Sequence, residues 1–165
     1  MPKQLISPIL EKTYRAPKIH GICQTGETID LAVRKGQWLV VFFYPKDLTS
    51  GCSLEAADFQ RRLKDFAKAE ALVVGVSKDT PATHTKFCEK LGLEFDLLSD
   101  EEGKLCEAFE VWKEKQMYGR SYMGIERSTF LVDPAGFVVA AWRKVKVPGH
   151  VDEVLATLKS LQVRQ

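Results

Sequence analysis

Trp38-Leu39-Val40-Val41-Phe42-Phe43-Tyr44 is an unbroken apolar run, and Pro45-Lys46-Asp47-Leu48-Thr49-Ser50-Gly51-Cys52 carries it directly into Ser53-Leu54-Glu55-Ala56-Ala57-Asp58-Phe59. A run apolar at every position, rather than at alternate ones, is what a central strand covered on both faces requires. Leu54, Ala57, Phe59, Leu63, Phe66 and Ala67 then recur at roughly helical spacing. The stretch reads as buried strand, turn and helix, with Cys52 in the helix's first turn. Unpaired N–H groups and partial positive charge at a helix start favour a thiolate over a thiol.

Downstream, Ala71 to Ser77 is a second buried-strand run. Thr80-Pro81 reads as a helix start, a capping hydroxyl followed by proline in the first turn. Phe87, Cys88 and Leu91 sit late in that helix, and Gly92 closes it. A short strand near Phe95 to Leu98 precedes a short helix from about Glu101 to Phe109. Ser128 to Val132 and Phe137 to Trp142 are strands joined by the type I turn Asp133-Pro134-Ala135-Gly136. Val151, Val154, Leu155, Leu158 and Leu161 mark a last amphipathic helix. Upstream, Gly21 and Thr25-Gly26 suggest a short hairpin over 19–33, while Pro2, Pro8 and Pro17 make 1–15 an extended N-terminal arm. A βαβ unit followed by a ββα unit is the thioredoxin-like fold: one α/β domain over 1–165, a central mixed β-sheet flanked by helices.

Composition narrows the function. The chain has 165 residues, 45% hydrophobic and 28% charged, with 24 Lys and Arg against 22 Asp and Glu, a net charge of +2. That balance argues against nucleic-acid and membrane partners and for small molecules or proteins. No apolar stretch approaches the ~18 residues of a membrane span. The patch from Leu5 to Leu10 is interrupted by Pro8 and makes a poor signal peptide, so a cytoplasmic location is expected. Four widely spread cysteines, Cys23, Cys52, Cys88 and Cys106, are buried fillers or chemical groups in such a chain, not a disulfide scaffold. His20, His84 and His150 show no metal spacing, no glycine-rich phosphate loop follows a strand, and no cofactor is expected.

A thioredoxin-type redox pair would place a second cysteine at position 49, where this chain has Thr49. Pro45-x-x-x-Thr49-x-x-Cys52 instead resembles the P-x-x-x-T-x-x-C signature of peroxiredoxins. The wider string, Phe43 to Asp47 with Gly51-Cys52 and Glu55-Ala56, is similar to the bacterioferritin comigratory protein group, or PrxQ. Ala16-Pro17, Leu97-Leu98-Ser99-Asp100, Val111-Trp112 and Gly124-Ile125 through Arg127 to Asp133 extend the likeness over roughly residues 16 to 162.

The resemblance implies a thiol-dependent peroxidase acting on hydrogen peroxide and organic hydroperoxides. Cys52 would be the peroxidatic thiolate. Thr49 would offer its hydroxyl to peroxide or sulfur, Arg127 would favour the thiolate and hold the peroxide, Pro45 would shield the sulfur, and Glu55 would orient the arginine. Thr-Ser-Gly-Cys replaces the group's usual Thr-Pro-Gly-Cys, so Ser50 loosens the loop without removing a donor. Taken alone, a cysteine before a helix is a filler, a threonine there a cap, and a lone arginine a surface charge; the roles rest on the pattern.

A sulfenic acid at Cys52 needs a second thiol before overoxidation. Many members of the group place that cysteine five residues after the first; here the position is Ala57. Others place it in the next helix, which makes Cys88, 36 positions after Cys52, the expected resolving cysteine. Cys106 resembles a non-catalytic cysteine of the group, and Cys23 matches none of its roles. A disulfide needs Cα atoms within about 7 Å, so both helical segments are expected to unwind on oxidation. Thioredoxin or a similar dithiol would then reduce the disulfide, and the protein would be a monomer. Two alternatives stay open: a one-cysteine peroxidase served by an external thiol, and a peroxide sensor acting through a partner protein.

Overall fold

A computed structural model describes residues 7–31 and 36–163. In chain order these residues form β1 (Ile9–Arg15), β2 (His20–Cys23), β3 (Thr28–Asp30), β4 (Trp38–Phe43), α1 (Ser50–Arg61), α2 (Leu63–Lys68), β5 (Ala71–Ser77), α3 (Pro81–Leu91), β6 (Asp96–Ser99), α4 (Lys104–Ala108), β7 (Trp112–Met117), β8 (Arg120–Ile125), β9 (Ser128–Val132), β10 (Phe137–Trp142) and α5 (His150–Val163). Eight strands make one mixed sheet in the order β1-β10-β9-β4-β5-β6-β2-β3. β4 lies at its middle, parallel to β5 (Trp38 opposite Ala71 through Phe43 opposite Val76) and antiparallel to β9. The expected thioredoxin-like α/β arrangement is the one observed.

The all-apolar strands bury both faces and so create two cores. Val40, Phe42 and Tyr44 point into one, with Phe59 of α1, Phe66 of α2, Phe87 of α3 and Leu155 and Leu158 of α5. Val41, Phe43, Val74 and Val76 point into the other, with Leu105 and Cys106 of α4. Gly75 is dictated by this packing: a Cβ there would lie 2.8 Å from both Leu97 and Phe42.

Local signals account for the ends of the elements. Thr80 caps α3 by accepting the Thr83 N–H, and Gly92 ends that helix in the left-handed conformation (φ 64°). The Asp133–Gly136 turn closes through the Gly136 N–H to Asp133 O bond.

Two expectations need correction, and a third, the hairpin, is observed. The extended arm expected over 1–15 falls partly on residues 1–6, which lie outside the described residues; from Ile9 it forms strand β1, antiparallel to β10. Its exposed, mostly polar pattern carries no core signal, and its order comes from the unpaired edge of β10. The expected hairpin over 19–33 is β2 and β3, with 32–33 outside the described residues. The helix after Cys52 is not continuous: it breaks at Arg62 (φ −101°, ψ 5°), whose side chain is drawn to Asp152 at 2.8 Å and Asp65 at 3.2 Å. The antiparallel pair β7–β8, separate from the main sheet, was not foreseen.

Candidate active site

β4 ends at Phe43, and Tyr44 to Thr49 turn the chain into α1. Leu48 takes φ 66°, the left-handed region an L-residue rarely adopts. Thr49 is the N-cap residue, and the Ser53 N–H is bonded back to Thr49 O. The N–H groups of Gly51 and Cys52 lie ahead of that bond, at the positive end of the helix. The Cys52 side chain is buried, with 2% of its surface exposed.

Arg127, between β8 and β9, reaches this point across the sheet. Its Nη2 donates to Cys52 Sγ at 3.3 Å, and its Nη1 donates to Glu55 Oε1 at 2.7 Å. One guanidinium therefore bridges a carboxylate and a sulfur that lie one helical turn apart. Gly51 makes room for it: a Cβ there would stand 3.3 Å from Nη2. The arrangement puts a fixed donor and a positive charge on a water-poor sulfur, as a developing anion requires.

Glu55 is fully buried, and its Oε2 has no hydrogen-bond partner among the described residues. Burial pushes this carboxyl up from the ordinary 4.5 to about 7, against the downward pull of Arg127. Beneath the site, His150 is buried, bonded through Nε2 to Thr129 Oγ1 at 2.7 Å and set edge-on to Phe59 and Trp142. Burial, then the charge of Arg127, pushes it down to about 4, so it is neutral at pH 7.

These two groups oppose each other in the pH dependence of stability. Between pH 4.5 and 7 the folded chain holds a Glu55 proton that the unfolded chain has lost, so this group's contribution falls as pH rises. Between pH 4 and 6.5 the folded chain lacks a His150 proton that the unfolded chain has gained, so that contribution rises with pH. Each amounts to about 3 kcal/mol. Glu55→Gln removes the first and exposes the second: the variant loses about 3 kcal/mol relative to its own neutral value on acidification from 6.5 to 4, while the parent profile stays nearly flat from these two groups. Urea midpoints across this range measure it; parallel profiles for the two proteins would refute the assignment.

Of the residues expected at the site, the structure brings Cys52, Arg127 and Glu55 together. Thr49 stands beside them in sequence, but its hydroxyl donates to Lys46 O at 2.9 Å and not to the sulfur. Pro45 is half-buried in the turn. Cys88 is partly buried on α3 and packs against the same core that contains Cys52, whereas Cys23 and Cys106 belong to the core on the other side of the sheet. All four cysteines are free. Burial, then the carboxylates of Asp47 and Asp96, pushes the Cys88 thiol up to about 11.

Sequence reasoning missed two groups. Lys115 on β7 is half-buried near the site: burial and then the charge of Arg127 lower its pKa, and Cys52 opposes that shift. The second is a buried polar cluster. Tyr44 Oη donates to Asp47 Oδ1 at 2.6 Å, His84 Nδ1 lies 2.6 Å from Asp47 Oδ2, and His84 Nε2 lies 3.0 Å from Leu98 O. Asp79 Oδ2 accepts from the Asp47 N–H and the Ser77 hydroxyl. Asp47, Asp79 and His84 place ligand atoms within 4.8 Å of one another, the arrangement a divalent cation could use; the hydrogen bonds just described join these same atoms to each other and to Tyr44, Ser77 and the backbone. Among the described residues no helix is long and apolar enough to cross a membrane.

Comparison with known proteins is consistent with this geometry. The model of the AhpC/TSA family matches residues 13–141. Peroxiredoxin Bcp of Bacillus subtilis is 49% identical over 152 residues, 92% of this chain and 97% of that protein. A solved structure of the bacterioferritin comigratory protein of Xanthomonas campestris, from work on its alkyl peroxide reduction activity with trapped intermediate and ligand complexes, is 50% identical with a TM-score of 0.82, covering 86% of this chain and 90% of that one. A PrxQ cysteine-to-serine mutant of Xylella fastidiosa is 42% identical with a TM-score of 0.85, covering 90% and 97%. Two structures of the Xanthomonas protein carry single cysteine-to-serine changes 36 positions apart, the separation of Cys52 and Cys88 here.

Proposed function

The chain belongs to the AhpC/TSA family as a peroxiredoxin of the Bcp/PrxQ group, a thiol peroxidase, and on that premise we propose that Cys52 is its peroxidatic thiol and Cys88 its resolving one. The observation that carries the first assignment is the Arg127 bridge between Glu55 and the Cys52 sulfur. The Cys52 thiolate attacks one oxygen of a hydroperoxide. The S–O bond forms, the O–O bond breaks, and the leaving alkoxide or hydroxide takes a proton, giving the sulfenic acid and an alcohol or water. Negative charge is spread over sulfur and two oxygens at the top of the barrier. Arg127 Nη2 and the N–H groups at the start of α1 are fixed where that charge develops, so little reorganisation is needed. Glu55 holds the guanidinium in place, and Pro45 limits water at the turn. Thr49 enters when its hydroxyl leaves Lys46 O for the peroxide.

Cys88 resolves because it shares a core with Cys52, and because the 36-residue spacing matches the pair of cysteines altered in the Xanthomonas relative. Its thiol attacks the Cys52 sulfur, the S–S bond forms, the S–O bond breaks, and hydroxide leaves with the Cys88 proton as water. Thioredoxin or a similar dithiol, in the reducing compartment where such a partner works, returns the disulfide to thiols. Hydrogen peroxide and small organic hydroperoxides are the substrates, and the monomer suffices because both cysteines lie in one chain.

Cys88→Ser separates this from the one-cysteine reading. The variant is expected to keep a single round of Cys52 oxidation and to lose thioredoxin-supported turnover at least tenfold, as Cys52 sulfinic acid accumulates in mass spectra. Undiminished turnover would instead establish an external thiol as the resolving group.

A further inference from the structure

α3 holds Cys88, yet only two of its side chains are fully buried, Phe87 and His84. Phe87 packs against Tyr44, with ring centroids 5.9 Å apart. His84, none of whose surface is exposed, is joined to Asp47, itself 3% exposed, in the loop between β4 and the Cys52 helix. Half of the buried anchorage of α3 is therefore polar, and it is fastened to the loop that leads to Cys52. The His84 Nε2 proton is used on Leu98 O, since a carbonyl can only accept. Nδ1 lies 2.6 Å from one oxygen of Asp47, and Tyr44 donates the third bond of the chain, to the other oxygen. Asp47 is held again by its backbone N–H on Asp79. Removing any one member strands a buried polar partner, so the cluster breaks as a unit.

Among the described residues no hydrogen bond joins Asp47 or His84 to Cys52 or Arg127, and the peroxide step above uses neither. Both lie where the two cysteine-bearing segments meet. Cys88 follows His84 by four residues, on the same face of α3 and one turn onward. We infer that the Asp47–His84 bond is a latch that keeps the Cys52 loop and the Cys88 helix closed on each other, and that its release sets the rate at which Cys88 reaches the Cys52 sulfenic acid. This rests on the two-cysteine reading and makes Asp47 and His84 positioning residues for resolution. The closed latch also keeps Cys88 inert, because burial and the Asp47 carboxylate hold the thiol protonated. Opening removes both influences together. A slow latch lengthens the life of the sulfenic acid and so favours a second peroxide molecule, which converts it to sulfinic acid.

The test is His84→Leu, with Asp47→Asn as a second variant that preserves side-chain shape. Reduced protein is mixed with hydrogen peroxide, and the two phases, Cys52 oxidation and disulfide formation, are followed by tryptophan fluorescence and by quenched mass spectrometry. In His84→Leu the first-order disulfide step is expected to quicken about tenfold or more, with the second-order peroxide step changed less than threefold and the sulfinic fraction at high peroxide reduced in proportion. Leu158→Ala, which loosens α5 in the same core without touching the latch bonds, serves as the control for general destabilisation and leaves the disulfide step unchanged. A disulfide step within twofold of the parent in both folded latch variants, or one quickened equally in Leu158→Ala, overturns the latch. A parent protein that forms no Cys52–Cys88 disulfide overturns the two-cysteine reading itself, and the latch with it.

Discussion

Arg127→Gln lowers the second-order rate of Cys52 oxidation by hydrogen peroxide by a factor of about 10² to 10³, the usual loss for one fixed donor on a developing anion. The glutamine keeps a donor but is too short to span Glu55 and the sulfur at once, and it carries no charge. Glu55 is left buried without its Arg127 partner, so the carboxyl takes a proton and the helix start loses the group that bridged it to the sheet. Stopped-flow oxidation of the reduced protein measures the rate. A loss below about fivefold in a variant of normal melting temperature would remove Arg127 from the peroxide step.

Phe59→Ala is expected to cost about 3 to 5 kcal/mol of folding stability, the range for deleting a large aromatic from a closed core. Phe59 stacks on Phe42 at 4.4 Å between ring centroids, meets Phe66 at 5.9 Å and receives the edge of His150 at 6.4 Å. It is the largest buried side chain of α1, two turns beyond Cys52. Denaturant unfolding of the reduced protein reads the loss, and a change under 1 kcal/mol would mean the core closes around the gap. The same substitution loosens the helix that positions Cys52, so peroxide reactivity falls with it.

Much of this was legible in the chain because the signals are local. The run from Trp38 to Tyr44, the helical spacing after Cys52, the cap at Thr80 and the turn at Asp133 each fix their element from a few neighbouring residues. Cys52, Arg127 and Glu55 were readable through a likeness of pattern, not through spacing, since Arg127 joins the site only when β9 pairs with β4. What could not be read was set by partners distant in sequence. His84 looks like a surface histidine until Asp47, Tyr44 and the Leu98 carbonyl close on it. β1 has no apolar pattern and is ordered by the edge of β10, and β7–β8 alternates too weakly to announce a hairpin. The Thr49 hydroxyl points to Lys46, a choice between two acceptors that no sequence rule makes.

The mixed sheet has a further consequence for the two-cysteine cycle proposed above, in which both cysteine-bearing segments open. The segments that cycle would move, the start of α1 and the part of α3 around Cys88, contribute no bond to any strand ladder. β4 lies between β5 and β9, so opening these helices would bare helical backbone to water and no hydrogen-bonding row of strand groups on which a neighbouring molecule could grow. That cycle, repeated at high protein concentration, would thereby be kept separate from the commonest route to aggregation.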